Sequence, residues 1–367
     1  MARVFSFRRI AAIALVWLSC APAAATTFHV DPQNGSTSGD GSSGRPWRRF
    51  ADLFEKSSGI IGPVVKPGDT IVLHGGDHGA TTIAGSVNAV PIVVEAAEGQ
   101  RPILRQTKLI GARGWVFRGL TFQGEGPRKA GPADALLEIG RSTWLGPTSD
   151  IVVERCEFAT ADDTSGWSAQ DWVNKPYYNA LITFGTNIAI RDNRFHNIRN
   201  GLSINGEDVA VERNVIENVG NDGMSINGSR LRILNNTIRA GRHTPAEPLH
   251  ADGIQGFPAR DDGVNRDVLI DGNRIEAGPS GDYMQGITIF DGRWENVRVT
   301  NNTIETRAWH GIAFFGVTGG LIAGNRVIAA DPKQRSWIMV TASKTGRPSS
   351  GIELRDNISP AYKIDRR

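Results

Sequence analysis

One short phrase returns five times between Asn200 and Phe315, and it restricts the fold more than any other feature of the chain. Asn200-Gly201-Leu202-Ser203-Ile204, Asp222-Gly223-Met224-Ser225-Ile226, Asp252-Gly253-Ile254-Gln255, Gln285-Gly286-Ile287-Thr288-Ile289 and His310-Gly311-Ile312-Ala313-Phe314 each set a glycine before alternating residues. Alternation of this kind marks a strand with one buried face. A second phrase punctuates the same region: Asn193-Arg194-Phe195, Asn214-Val215-Ile216, Asn236-Thr237-Ile238, Asn273-Arg274-Ile275, Asn302-Thr303-Ile304 and Asn325-Arg326-Val327. Its closest spacings are 21, 22 and 23 residues. That is a solenoid period, with room for three short strands and three turns. Asn tolerates the left-handed backbone that such turns use, and stacked Asn side chains can bond from coil to coil.

Each coil then has one order. A first strand such as Val209-Ala210-Val211 leads to the Asn turn, a short second strand follows, and the Gly-led strand closes the coil. Leu202, Met224, Ile254, Ile287 and Ile312 point inward as core. The 43 glycines and the scarcity of helix-period patterns suit an all-β chain with many turns. Near the N terminus, Trp47, Phe50, Leu53 and Phe54 fall at helical spacing, so an amphipathic capping helix is expected over the open end of the coil.

The order Val30-Asp31-Pro32, Pro46-Trp47, Pro67-Gly68-Asp69-Thr70-Ile71 and Trp115-Val116-Phe117-Arg118-Gly119-Leu120-Thr121-Phe122, followed by the Asn phrases, resembles proteins of the pectate-lyase-like superfamily, including chondroitinase-B-like and alginate-lyase-like members. The resemblance covers nearly the whole chain after residue 25. It implies a right-handed parallel β-helix of about nine or more rungs in one domain, residues 26–367, and action on polysaccharides.

Arg3, Arg8 and Arg9, the apolar run Ile10 to Leu18 and Ala23-Ala24-Ala25 read as a signal peptide over residues 1–25, too short to span a membrane. A periplasmic or extracellular location and no stable membrane insertion follow. Removing it takes three arginines and no acids, leaving 38 basic residues against 38 acidic ones. The neutral remainder gives no general attraction for nucleic acid, so an acidic ligand must be held locally. Cys156 alone remains, which excludes an intrachain disulfide. A monomer is expected.

The residue before the glycine changes from Asn200 to Asp222, Asp252, Gln285 and His310, and neighbouring coils lie about 4.8 Å apart. These residues therefore form a polar column, the candidate site, although Asn or Asp before Gly is also ordinary turn chemistry. His250 stands two residues before Asp252, where a carboxylate would orient its imidazole for proton abstraction. Elimination from a uronate needs a base, a carboxylate neutraliser and an acid for the leaving oxygen. His250 is the candidate base, Tyr283 or His310 the acid, and Arg293 with Gln255 or Gln285 the neutralisers, with Arg260 and Asp291 nearby. Phe257, Phe290 and Phe315 share one outward repeat position, and Trp167, Trp172, Tyr177 and Tyr178 lie on a long loop; both sets are candidate sugar-stacking surfaces.

The function expected is an exported lyase that cleaves an acidic polysaccharide by β-elimination. Asn221-Asp222-Gly223, Ala251-Asp252-Gly253 and Trp309-His310-Gly311 loosely resemble polygalacturonase-type hydrolases, but Ala251 breaks the paired Asp of that family and no Arg-Ile-Lys follows the His. Hydrolysis by Asp222 and Asp252, C5 epimerisation and non-catalytic glycan binding are the alternatives. No metal site or cofactor is specified, although Asp222 and Asp252 have the chemistry to share a Ca²⁺ ion.

Overall fold

The computed structural model describes residues 25–54, 59, 61–62, 64–124, 134–168, 171–172, 179–241, 250–257, 263–278 and 283–365. They form a parallel β-helix. Every named strand pairing is parallel, and each coil contributes strands to three faces. Asn179–Thr183 and the Gly-led strands Met224–Ser229, Ala251–Gly256, Met284–Ile289 and His310–Phe315 belong to the first face. Strands such as Thr186–Arg191, Val264–Asp271 and Arg293–Thr300 form the second. The strand Leu202–Glu212 runs through both. The third face is a ten-stranded ladder that includes Glu157–Ala159, Arg194–Ile198 and Val215–Val219.

Alternation produces the core as the sequence implies. Leu202, Met224, Ile254, Ile287 and Ile312 stack in register and are buried. On the third face Phe122, Phe158 and Phe195 stack with ring centroids 4.6 Å apart, and Ile216, Ile238, Ile275 and Ile304 continue that column.

The Asn phrases are the seam of the helix. Asn193, Asn214, Asn236, Asn273, Asn302 and Asn325 each donate both the backbone N–H and the side-chain amide to the Oδ1 of the next member, ending at Asn357, over 2.8–3.0 Å. Each amide also donates to a carbonyl of an earlier coil, as Asn236 does to Val211. The left-handed backbone expected of these asparagines belongs instead to the residue before them: Asp192, Arg213, Asn235 and Asn301 have φ of 53–58°. The positive φ turns the chain so that the following Asn points inward, where its carboxamide can reach both neighbours. In the coil before Asn193 the position is Cys156, whose N–H is capped by Asn193.

The expected N-terminal capping helix is not formed. Phe50–Leu53 makes one 3₁₀ turn, bounded by extended residues Arg49 and Phe54. Arg49 supplies no side-chain cap, and Trp47 is held in bridges to Val30 and Ser36, which stops the turn from extending backwards. Phe50 and Phe54 close the end of the core themselves, with Phe54 6.3 Å from Trp115. At the other end, Ala361–Ile364 forms a last strand, paired to Trp337–Thr341.

Replacing Asn236 by Ala removes the acceptor for two buried N–H groups of Asn214 and the donor to Val211. Urea unfolding of Asn236→Ala is expected to show a loss of about 3 kcal/mol or more, since each orphaned buried group costs roughly 1–3 kcal/mol. Arg298→Ala, on the exposed side of the wall, is expected to stay within about 0.5 kcal/mol of the parent. Equal effects for the two would contradict a seam of this kind.

Candidate functional site

The stacking places Asp222, Asp252, Gln285 and His310 on four successive coils in register. The glycines that follow them are fixed by packing. A Cβ on Gly223 would lie 2.6 Å from Ile238, and one on Gly286 would lie 2.1 Å from the carbonyl of Gly311. Neither glycine has a positive φ, nor do Asp222, Asp252, Gln285 and His310. Turn chemistry therefore does not explain the residue types of the column.

Asp252 is wholly buried. Its Oδ2 accepts from His250 Nδ1 at 2.7 Å and its Oδ1 from the Thr288 hydroxyl at 2.7 Å. Its backbone N–H donates to Asp222 Oδ1 at 3.0 Å, and Ser225 Oγ lies 3.2 Å from Asp222 Oδ2. Burial, then the neighbouring Asp252 carboxylate, push Asp222 up to about 7. Burial also raises Asp252, against the pull of His250 and Thr288. Asp222, which lacks a cationic hydrogen-bond partner, is the member of the pair that keeps a proton longer.

The bond to Asp252 raises the pKa of His250. Because the Asp252 carboxylate accepts from the Nδ1–H, neutral His250 presents a lone pair at Nε2, and its side chain is 45% exposed. His310 is prepared in the opposite sense. The Trp337 indole N–H donates to its Nδ1 at 3.0 Å, so the ring's hydrogen sits on Nε2. Burial first, then the charges of His250 and Lys363, bring His310 down to about 4, and it is neutral at pH 7. The Phe290 ring stands edge-on between the imidazoles, with centroids 5.6 Å from His250 and 5.2 Å from His310. It is buried by this packing and does not form the exposed sugar-stacking surface expected of it.

Phe257, in register with Phe290 by one coil, is 50% exposed and remains available for stacking. Gln255 is buried in the column between Ser225 and Thr288. Gln285, between Asp252 and His310 in the column, is buried with its Oε1 unpaired. Tyr283 occupies the repeat position of His250 one coil on, but its hydroxyl lies 3.4 Å from the Gln334 amide. Arg293 is exposed at the start of the next strand, beyond the corner Asp291-Gly292. Arg260, Tyr177 and Tyr178 lie outside the described residues.

Sequence reasoning passed over Ser225, Thr288, Trp337, Lys344 and Lys363. Lys344 pairs with Asp291 at 3.0 Å, and its charge reaches His250. Lys363 sits 3.3 Å above the Trp337 ring. The Asp222 and Asp252 oxygens are all engaged by protein donors, and among the described residues no group of three His, Cys, Asp or Glu could hold a metal ion. The donor set does not make a Ca²⁺ cage.

A family model described as "Right handed beta helix region" matches residues 178–328. A search of curated proteins returned no match. Among solved structures, the chain is similar to a rhamnogalacturonan lyase, with TM-score 0.62 and 11% identity over 89% of this chain and 87% of the other. It is also similar to a lacto-N-biosidase from Eubacterium ramulus, with TM-score 0.55 and 10% identity over 92% and 67%. A third likeness is to the Streptococcus pneumoniae surface protein and adhesin PfbA, with TM-score 0.50 and 11% identity over 82% and 86%. The fold is thus the right-handed parallel β-helix. At these identities the likeness is one of fold, and a lyase, a biosidase and an adhesin share it. Among the described residues, no helix is long and apolar enough to cross a membrane.

The Asp222 carboxyl yields a pH test with a defined sign. Its folded pKa of about 7 exceeds the ordinary 3.8, so between these values the folded state binds more protons than the unfolded chain. Its contribution is fully present below 3.8 and is lost as pH rises through about 7. Asp222→Asn keeps the Oδ1 acceptor but does not titrate. The melting temperature of the parent is expected to fall relative to this variant by at least about 2 °C between about pH 5 and about pH 8. A constant difference would contradict the buried, coupled pair.

Proposed function

We propose that the protein is a polysaccharide lyase that cleaves a uronate-containing glycan by β-elimination, with His250 as the base. One observation carries the reading: Asp252 is wholly buried with both oxygens committed, so the reactive group offered to solvent is the His250 Nε2 lone pair. Hydrolysis by two carboxylates needs both to flank the scissile bond. Asp252 cannot do so without breaking its bonds to His250 and Thr288.

In the proposed step, Nε2 takes the hydrogen at C5 of the uronate, the C5–H electrons form a C4=C5 double bond, and the C4–O bond breaks. The imidazolium then returns its proton to the leaving oxygen, which needs no second acid. His310, neutral and with its hydrogen on Nε2, suits donation to the substrate carboxylate better than proton storage. Lys344 and Lys363 add positive charge around the two imidazoles, which favours an anionic sugar and the charge that develops at C5. Export with loss of residues 1–25 belongs to the same proposal, and the N-terminal residue of protein recovered from periplasm or medium tests it.

Purified protein incubated with polygalacturonate, alginate or chondroitin sulfate is expected to generate the ultraviolet absorbance of an unsaturated uronate from at least one of them. His250→Ala should lower kcat by about 100-fold or more with little change in KM. For the parent, kcat/KM should rise with pH to a plateau above the ordinary imidazole value of 6.5, since the base must be neutral and Asp252 raises its pKa. New reducing ends without unsaturated product would assign hydrolysis. Exchange of the C5 hydrogen without chain shortening would assign epimerisation.

A further inference from the structure

A second cleft lies on the third face, away from the His250 column. Its floor is the outward side of the ladder, where Glu157, Arg194 and His196 stand on neighbouring coils. Its wall is the loop from Asp162 to Trp167, which leaves the end of Glu157–Ala159 and folds back over the sheet. The loop is tied down at both ends of the cleft. Asp162 takes a hydrogen bond from Arg101 at 2.9 Å and another from Gln123 at 2.9 Å. Asn197 accepts from Thr164 and donates to the carbonyls of Ala161 and Asp162. The space enclosed is about 590 Å³, within the range of small-ligand sites.

Two properties define what such a cleft would take. The first is aromatic: Trp167 is half-buried in the lining and braced edge-on by the buried Trp172, with centroids 5.0 Å apart. An indole held in this way presents a rigid apolar face at low entropic cost. The second is charge balance. Arg101 and Arg194 are set against Glu157, Asp162 and Asp163, with His196 bonded to Glu157 at 2.9 Å. Both arginines are already paired, Arg101 with Asp162 at 2.9 Å and Arg194 with Glu157 at 3.1 Å. An anion entering here would have to displace a carboxylate from its partner. A hydroxyl would not, because it can accept from a guanidinium and donate to the adjacent carboxylate while the pair stays intact.

We propose that this cleft is a second carbohydrate site, for a neutral pyranose unit stacked on Trp167 with its hydroxyls bridging the ion pairs. It does not rest on the lyase reading. The cleft and the His250 column lie on different faces, so a neutral glycan held here leaves the Gly-led face open to a uronate polymer.

The test is calorimetric titration with cellohexaose and with maltohexaose, and with trigalacturonate as the anionic counterpart, while following tryptophan fluorescence. At least one neutral hexasaccharide is expected to bind and to change the fluorescence. Trp167→Ala should weaken that binding by about tenfold or more, roughly the loss of one aromatic contact. Trp167→Phe, which keeps an aromatic face and the loop packing, should lose about threefold or less. His250→Ala should bind the neutral sugar like the parent even when uronate turnover is gone, which separates this proposal from the one above. The proposal is overturned if neither neutral hexasaccharide binds, if binding is indifferent to Trp167→Ala in a folded variant, or if trigalacturonate binds more tightly than the neutral sugars in a manner that Trp167→Ala abolishes.

Discussion

Everything in this molecule depends on register between coils, and the buried asparagine seam is the interaction that enforces it. Parallel strands can slip by two residues and still bury the same face. A carboxamide that must satisfy two N–H groups on one side and a carbonyl on the other allows no such slip. From Asn193 to Asn357 the seam is continuous, through coils as short as 21 residues and as long as 37. Loops of different length can therefore leave the third face without disturbing the stacking of the next Gly-led strand.

The column is what that register holds in place. With each glycine pressed against the next coil, the preceding residue is held at one height and free to vary in kind. Two carboxylates on adjacent coils, both buried, compete for a proton. One of them spends its lone pairs on orienting an imidazole. On the far side of Phe290 an indole orients a second imidazole in the opposite tautomer. The two rings are thus set in opposite tautomers by hydrogen bonding, His250 with its lone pair at Nε2 and His310 with its hydrogen there.

Much of this was legible in the sequence because the repeat is nearly regular between Asn193 and Ile312. The column positions, the His250–Asp252 neighbours and the inward residues all follow from counting. What was not legible lies where the period breaks. Between Ala329 and Trp337 the chain takes a polar excursion, and the ladder shifts register between His310 and Ile312, which brings Trp337 opposite His310. Nothing in a repeat count places an indole there. Lys344 comes from the segment after this break, and Lys363 from a terminal strand paired to Trp337–Thr341. The capping helix failed for a different reason: four apolar residues at helical spacing were claimed by the end of the core and by strand bridges. Phe290 shows the same competition on the outer face, since its alternation points outward while the two imidazoles bury it.

The central claim is that two fixed tautomers of opposite sense flank Phe290, and imidazole nitrogen NMR reads this directly. In protein labelled at histidine nitrogen and held above the titration range, His250 is predicted to carry its hydrogen on Nδ1 and His310 on Nε2, each as a single tautomer. Asp252→Asn is predicted to lower the pKa of His250 and to leave the His310 tautomer unchanged. Averaged tautomers at both rings, or a His250 pKa indifferent to Asp252→Asn, would contradict the account.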